Sequence, residues 1–400
     1  MKAFILAADK EEKLEPITDN MPKAMIRILG KPLIEYWIKE LKRNGIKEIG
    51  IIVGYKRELI EDYLGKGDRY GVNIEYIVQE KQLGVEDALS RIKCDEESFI
   101  VVYSDIFTEP GMISRLLNTY YNYGGKPSFC VTLSRETREY GVTVIDEKGR
   151  IVKVYEKKVV KEAGNYVIAG AYIITSGILK RIKDGYSLAE ALNKEVEKGE
   201  NIYATIWEKE WVDVGWPWHI LEANKLAQKR IRRAVISSKA RIEGGAIIEG
   251  PVIIRENAHV ETGAILRGPC YVDKGAYIGN HSLVRKNTYI GRESIIGFGV
   301  EVKNAIIMDK VKIGRLSYIG DSYIGFNVDI GAGATTVNVD ISGKTIKMKI
   351  KGRVVDTKLE KLGTIIGDNS RIGANVTIMP GVKISSNKLV QPGLIVREDL

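Results

Sequence analysis

Cysteine is scarce in this 400-residue chain, and its three copies, Cys94, Cys130 and Cys270, lie far apart. That spacing excludes a zinc knuckle and a disulfide framework, and it leads us to expect a reduced, cytoplasmic protein. No apolar run approaches the roughly 20 residues that a bilayer span needs, so no membrane partner is expected. Met1-Lys2 leads directly into a strand, without a secretory leader ahead of it. Runs of one charge sign are missing too. The net charge is +9 with 28% charged residues, but the two signs are interleaved along the chain. The densest basic clusters, at 228–233 and 344–361, read as solvated faces or anion sites, and no nucleic-acid partner is expected. Few glutamines and histidines beside abundant Ile, Lys and Glu make the composition of many heat-adapted proteins.

What is present is a hydrophobic content of 44%, ample for packed cores, in a length that suits two or three domains. The chain is organised around residues 3–25. Phe4-Ile5-Leu6-Ala7-Ala8 reads as a short buried strand feeding a charged loop that runs to Pro22-Lys23. A helical face follows at Leu33, Ile34, Trp37, Ile38 and Leu41, closed by Gly45. Strands at 49–53, 74–78 and 99–102 alternate with helices at 56–63 and 85–92, the grammar of a parallel, doubly wound α/β sheet. Strands at 128–133, 142–145, 151–155, 167–174 and 204–207 complete a mixed sheet, and a helix at 218–233 closes the domain. In such sheets ligands bind past the carboxyl ends of the strands, which places residues 9–23 at the site. The loop has no glycine before Gly30.

From Ala240 the grammar changes. Written in sixes, every third position is apolar: Ile242, Ile248, Ile254, Val260, Leu266, Val272, Ile278, Val284, Ile290, Ile296, Val302 and Met308. A period of six is neither helical nor that of an alternating strand. It is the period of a triangular solenoid in which each hexapeptide forms one side and points its aliphatic residue inward, the pattern of a left-handed parallel β-helix. The register shifts near Ile313, Ile319, Ile324 and Ile330. A Lys-rich excursion at about 336–362, with Ile346, Met348 and Ile350 alternating, reads as a projecting loop or hairpin. The repeat resumes at Ile366 and continues to Val396. The expected domains are therefore 1–233 and 234–400.

Residues 3–25 resemble the signature of the sugar-1-phosphate nucleotidylyltransferases: a strand ending L-A-A-G, then x-G-x-R-L-x-P-L-T, a spacer, and P-K. Leu6-Ala7-Ala8, Leu14, Pro16-Ile17-Thr18 and Pro22-Lys23 fall in that register, while Asp9 and Glu11 replace its glycines and Lys13 its arginine. The resemblance covers about residues 1–230 and implies a Rossmann-like nucleotidyltransferase domain with a site for an NTP and a sugar-1-phosphate or NDP-sugar. It implies Lys13 and Lys23 as phosphate-neutralising catalytic residues, and Ala7, Ala8, Gln79 and Gly84 as nucleotide contacts. Asp105 and Asp213 would be the ligands of Mg2+, and Gly141, Glu156 and Lys157 the sugar-phosphate contacts. Further departures are Val85, Glu86, Ser104, Lys158 and Ile168. Two carboxylates beside a polyanion at roughly 4 Å cost about 1–4 kcal/mol each, so the altered loop implies weakened or absent transfer. Two functions follow: a nucleotidylyltransferase with an eroded phosphate loop, or a non-catalytic regulatory partner of an active paralogue.

The solenoid resembles the acyl-CoA-dependent half of the bifunctional uridylyltransferase/glucosamine-1-phosphate acetyltransferases. Tyr318 and Asn338 match its active coils, but Arg315 stands where that family has its histidine base, and a guanidinium cannot accept a proton. The resemblance implies no acetyl transfer, and a homotrimer assembled through the solenoid.

Overall fold

The computed structural model describes residues 1–134, 140–156 and 165–400. The chain divides into two compact units. The first comprises Met1–Lys10, Pro22–Met25 and Pro32–Asp213; the second comprises Glu11–Met21, Ile26–Lys31 and Val214–Leu400.

The strands of the first unit are β1 (Ala3–Ala7), β2 (Glu48–Val53), β3 (Asn73–Val78), β4 (Ser98–Tyr103), β5 (Ile106–Thr108), β6 (Ser128–Leu133), β7 (Gly141–Ile145), β8 (Ile151–Glu156), β9 (Tyr166–Thr175), β10 (Tyr203–Ile206) and β11 (Trp211–Asp213). Nine of them form one mixed sheet in the order β8-β7-β9-β4-β1-β2-β3, with β6 pairing β9 and β10. The central strand β1 runs parallel to β2 and β4, and β9 closes the other half antiparallel to β4, β6 and β7. Apart from Glu48 and Ser98 at their first positions, β1, β2 and β4 carry no polar residue but the Tyr103 phenol, because both faces are covered: Phe4, Ile5, Ile51, Ile52, Val101 and Val102 are fully buried.

Helices α1 (Leu33–Arg43), α2 (Arg57–Leu64) and α3 (Val85–Ser90) fall where the apolar spacing puts them. All five apolar residues of the α1 face are buried, worth roughly 1.5–3 kcal/mol apiece. The helix stops at Asn44, and Gly45 takes the left-handed conformation beyond it with φ +78°. Three helices went unread in the sequence: α4 (Met112–Asn122), α5 (Ser176–Lys183) and α6 (Leu188–Glu197). For α6 a signal existed, since Ser187 and Glu190 form a reciprocal capping box.

In the second unit α7 (Pro217–Gln228) ends at Gln228, short of the expected 233, and begins with Pro217 in its first turn, where no amide donor is needed. A left-handed parallel β-helix follows, built of three eight-stranded parallel sheets. Val235, Ile253, Tyr271 and Tyr289 stack in register, 18 residues and thus three hexapeptides apart. The aliphatic column from Ile254 through Val260, Leu266, Val272, Ile278, Val284, Ile290, Ile296 and Val302 is buried along the axis. Ile242 and Ile248 belong to the column but are only partly buried, because the first coil has a neighbour on one side only.

The twelfth column residue is Ile307 and not Met308. Ile290 pairs with Ile307, 17 residues on, so the shift of register comes earlier than the sequence suggested, at the corner holding Asn304 and Ala305. A second 17-residue step joins Ile307 to Ile324. At the same corner one coil later, between Thr335–Thr336 and Ile365–Ile366, the chain makes its excursion: Lys347–Ile350 and Arg353–Asp356 form an antiparallel hairpin, with Ile346, Met348 and Ile350 buried. The corners carry left-handed residues at regular intervals, among them Asn257, Asn287, Asn304, Asn327, Asn369, Asn375 and Asn387. Asparagine tolerates that conformation better than other residues with a Cβ, so the repeat has a second legible position. Among the described residues, no helix is long and apolar enough to cross a membrane.

Candidate active site

The sheet of the first unit places its strand ends around one cavity. β1 ends at Ala7, and the Ala8 carbonyl accepts hydrogen bonds from the Tyr55 amide at 3.1 Å and from Gln82 Nε2 at 3.2 Å. Gly54 passes so close that a Cβ there would lie 2.8 Å from the same oxygen. The cavity holds about 280 Å³ and is lined by Leu6, Ala8, Asp9, Lys23, Gln79, Gln82, Gly84, Val85, Ala88, Tyr103, Ser104 and Asp105. It lies at the carboxyl ends of β1, β3 and β4, where a sheet of this kind binds its ligands.

Its floor is a charge pair. Lys23 is 5% exposed, its amide donates to the Asp9 carbonyl at 3.3 Å, and its Nζ donates to Asp105 Oδ2 at 2.6 Å. Asp105 Oδ1 is buried with no hydrogen-bond partner among the described residues. Ser104 is held from the backbone, its amide bonded to the Leu6 carbonyl at 3.1 Å. Asp213 lies opposite Ile106, the residue after Asp105, in the β5–β11 pair. A buried, unsatisfied carboxylate oxygen is what a hard divalent cation would take, and the donor set fits one. Beside the charge pair, burial pushes the Tyr103 phenol up from its ordinary range.

At the other end of the cavity Gln79 donates through Nε2 to the Gly84 carbonyl at 3.1 Å. Gly84 has φ +98° and ψ −174°, a combination essentially restricted to glycine. Glu86, one of the departures, does not line the cavity; its Oε1 accepts from the Leu188 amide at 3.4 Å, at the first turn of α6. Val85 does line the cavity.

Gly141 and Glu156 are directly opposite in the β7–β8 pair, and Ile168 packs near Gly141. Lys157 and Lys158 lie outside the described residues. Ala7, Ala8, Lys23, Gln79, Gly84, Asp105 and Asp213 thus all belong to the first unit, as do Gly141 and Glu156. Lys13 belongs to the second, where its ammonium sits 4.9 Å from the centre of the Trp216 ring. In the same segment Glu11 has φ +54° and ψ 83°, and its carboxylate accepts from the Lys13 amide at 3.4 Å. This position takes the left-handed backbone that a glycine would adopt, while carrying an acidic side chain.

In the solenoid Asn338 Nδ2 donates to the Tyr318 hydroxyl at 3.2 Å and also to Asp321. Asp321 receives Asn304 Nδ2 at 2.6 Å and Lys303 Nζ at 3.4 Å. Tyr318 and Asn338 are therefore together in a polar vertex. Arg315 is exposed on the preceding corner, with no hydrogen bond or ion pair to either among the described residues. One cluster escaped the sequence reading: Glu243, His259 and Glu261 converge on one face of the solenoid, with His259 Nε2 2.9 Å from Glu243 Oε1. Their stacking follows from the coil register, which pairs Arg241 with His259.

A doubly wound sheet with a charged cavity at its carboxyl edge, joined to a β-helix, defines a nucleotide-handling transferase class. The chain belongs to the nucleotidyl transferase family, whose model matches residues 2–230; a model for the GMPPB C-terminal domain matches residues 266–359. Over its entire length it is 35% identical to a bifunctional sugar-1-phosphate nucleotidylyltransferase/acetyltransferase of Sulfurisphaera tokodaii, spanning 98% of that protein. It is 38% identical to the bifunctional protein GlmU of Methanococcus maripaludis, again over 100% of this chain and 95% of the relative. Among solved structures, UDP-glucose pyrophosphorylase complexed with UDP-glucose superposes with a TM-score of 0.53 at 23% identity, over 57% of this chain and 98% of that one. The apo form of a UDP-glucose pyrophosphorylase gives 0.51 at 22% identity, over the same shares. At these identities the two structures establish the fold alone.

Proposed function

We propose that the first unit binds an NTP and a sugar-1-phosphate and forms an NDP-sugar with release of pyrophosphate, at a rate lowered by the loop at residues 9–13. The observation that carries this reading is the Lys23–Asp105 pair at 2.6 Å in the cavity, with Asp105 Oδ1 left buried and unpartnered. Asp105 and Asp213 would hold magnesium, which when bound neutralises the triphosphate. Lys23 neutralises phosphate from the other side, Gln79 and Gly84 contact the base, and Gly141, Glu156 and Lys157 hold the sugar phosphate. Ala7 and Ala8 present backbone to the nucleotide. We assign transfer to 1–233 and assembly, as a homotrimer in the cytoplasm, to 234–400. Arg315 cannot accept a proton at the position where the resembled family has its histidine base, so no acetyl transfer is assigned to the vertex.

One observation favours the second reading, a regulatory partner of an active paralogue that binds nucleotide without turnover. Asp9, an acid where the resembled family has a glycine, lines the cavity and sets a negative charge where a triphosphate would bind. Pyrophosphate release by the full chain, across a panel of NTPs and sugar-1-phosphates with Asp105→Ala as control, separates the two. Magnesium-dependent release that the control lacks supports the enzyme. Nucleotide binding without release supports the partner.

A further inference from the structure

The end of the cavity that holds Gln79 contains a clamp on that residue. Gln79 is 4% exposed, and its Nε2 donates both to the Gly84 carbonyl at 3.1 Å and to Asp87 Oδ2 at 2.7 Å. Asp87 is gripped in turn by Arg91, whose Nε reaches Oδ2 at 3.0 Å and whose Nη2 reaches Oδ1 at 3.2 Å. Arg91 Nη1 also reaches back to the Val78 carbonyl at 3.4 Å. A backbone carbonyl and an ionised carboxylate can only accept, so the glutamine must turn its nitrogen to both. Its two N–H groups are then committed, and the amide can offer a ligand nothing but the acceptor Oε1. Without the clamp a glutamine amide rotates between its two ends and serves donors and acceptors alike. The Arg91 guanidinium holds the Asp87 carboxyl below the usual carboxylate range, so the clamp stays acceptor-only at neutral and mildly acid pH.

We propose that Asp87, acting through Gln79, is a positioning residue that sets base preference. The site takes a nucleobase with a ring N–H on its Watson–Crick edge (uracil, thymine or guanine) and rejects cytosine and adenine. The inference rests on the reading of the cavity as a nucleoside triphosphate site. Uracil N3–H or guanine N1–H donates to Oε1. With the base placed so that its ring nitrogen meets Oε1, cytosine N3 and adenine N1 set a lone pair against a lone pair, and that mismatch costs about tenfold to a hundredfold in affinity. Leu6, Val85 and Ala88 line the same cavity with apolar surface, which suits the faces of a planar ring.

The test is calorimetric titration of the full chain, in magnesium, with UTP, GTP, CTP, ATP and N3-methyl-UTP. We expect UTP or GTP to bind at least about tenfold tighter than CTP and ATP, and N3-methyl-UTP to bind weaker than UTP by a similar factor. Asp87→Asn gives the clamp a donor of its own and lets the Gln79 amide turn, so the ratio should fall to within about threefold. A merely structural role for Asp87 would weaken all five ligands alike and leave the ratio standing. Arg91→Lys keeps a cation on Asp87 and should keep the ratio. Equal wild-type affinities, or an unchanged ratio in Asp87→Asn, overturn the clamp alone. Absence of binding by every nucleotide overturns the functional reading as well.

Discussion

The cavity of the first unit and the polar vertex of the solenoid have each lost residues expected of their family, with different consequences. In the cavity the groups that remain are fixed by the sheet: Gln79 follows β3, Asp105 follows β4, and Asp213 is placed by its pairing with Ile106. The substitutions Asp9, Glu11 and Lys13 all fall in the loop. In the vertex, Tyr318 lies on a strand and Asn338 just past one, while the substituted Arg315 sits on an exposed corner. In both places the groups on or next to strand ends are mostly kept, Ile168 on β9 being an exception, while the substituted loop and corner positions lie farther from the ladders. The outcomes diverge because of what the loop position carried. The cavity keeps Lys23 and Asp105, so on the proposed reading transfer is attenuated and not abolished. The vertex carries a guanidinium where a histidine base is expected, so on the proposed reading acyl transfer has no base at that position.

The largest effect expected is on the cavity side. Asp105→Ala deletes the carboxylate that pairs with Lys23, and pyrophosphate release should fall by about a thousandfold or more, while nucleotide binding weakens far less. A variant that turns over like the parent would place the chemistry elsewhere. Next is the loop. Asp9→Gly with Glu11→Gly and Lys13→Arg removes two carboxylates, restores close backbone approach and supplies a forked cation. We expect roughly a tenfold to hundredfold gain in magnesium-dependent release, abolished by adding Asp105→Ala. If the triple variant binds nucleotide and stays inert, Val85 and Ile168 carry part of the defect.

On the solenoid side the comparison predicts a smaller gain. Arg315→His returns a base beside the Tyr318–Asn338 pair, and acetyl transfer from acetyl-CoA to glucosamine-1-phosphate should rise above the parent's background. Because a general base works deprotonated, the rate should increase as pH rises through about 6.5. A flat profile, or no transfer, would show that the vertex has lost more than its base.

The β-helix was legible because a period of six has no competing explanation. Its register failed at one place for a physical reason: Ile306-Ile307-Met308 offers three apolar residues in a row, and only the shortened corner at Asn304 decides which points inward. All three are buried, so composition could not separate them. Strand ends point to residues 9–23, of which Asp9 and Lys23 line the cavity, while Gln79, Gly84 and Asp105 come only from the family resemblance. The behaviour of Glu86 could not be read, since its contact with Leu188 depends on a helix that begins 102 residues later in sequence. The clamp on Gln79 is local, spanning residues 79–91, but an Asp–Arg pair four residues apart on a helix is ordinarily a surface ion pair and carries no sign of the amide it holds.

The smallest predicted effect on stability is also the sharpest discriminator. Glu11 holds φ +54°, a conformation that costs a residue with a Cβ roughly 1–2 kcal/mol. Its carboxylate also caps the Lys13 amide, and a cap of that kind is worth about 0.5–2 kcal/mol. Glu11→Gly relieves the first and forfeits the second, so the two nearly cancel and stability should change by less than about 1 kcal/mol, a shift of a few degrees in Tm. Nucleotide affinity should behave differently. Deleting the carboxylate returns the Lys13 amide to the loop and removes a negative charge, and binding of an NTP should tighten about tenfold. Tighter binding at constant Tm means that Glu11 stands where a phosphate belongs, and the loop is then a reversible defect in an enzyme. A fall of several degrees with affinity unchanged means that Glu11 is structural. The attenuation of the cavity would then have to be sought in Asp9, which lines it, or in Lys13, which lies over Trp216.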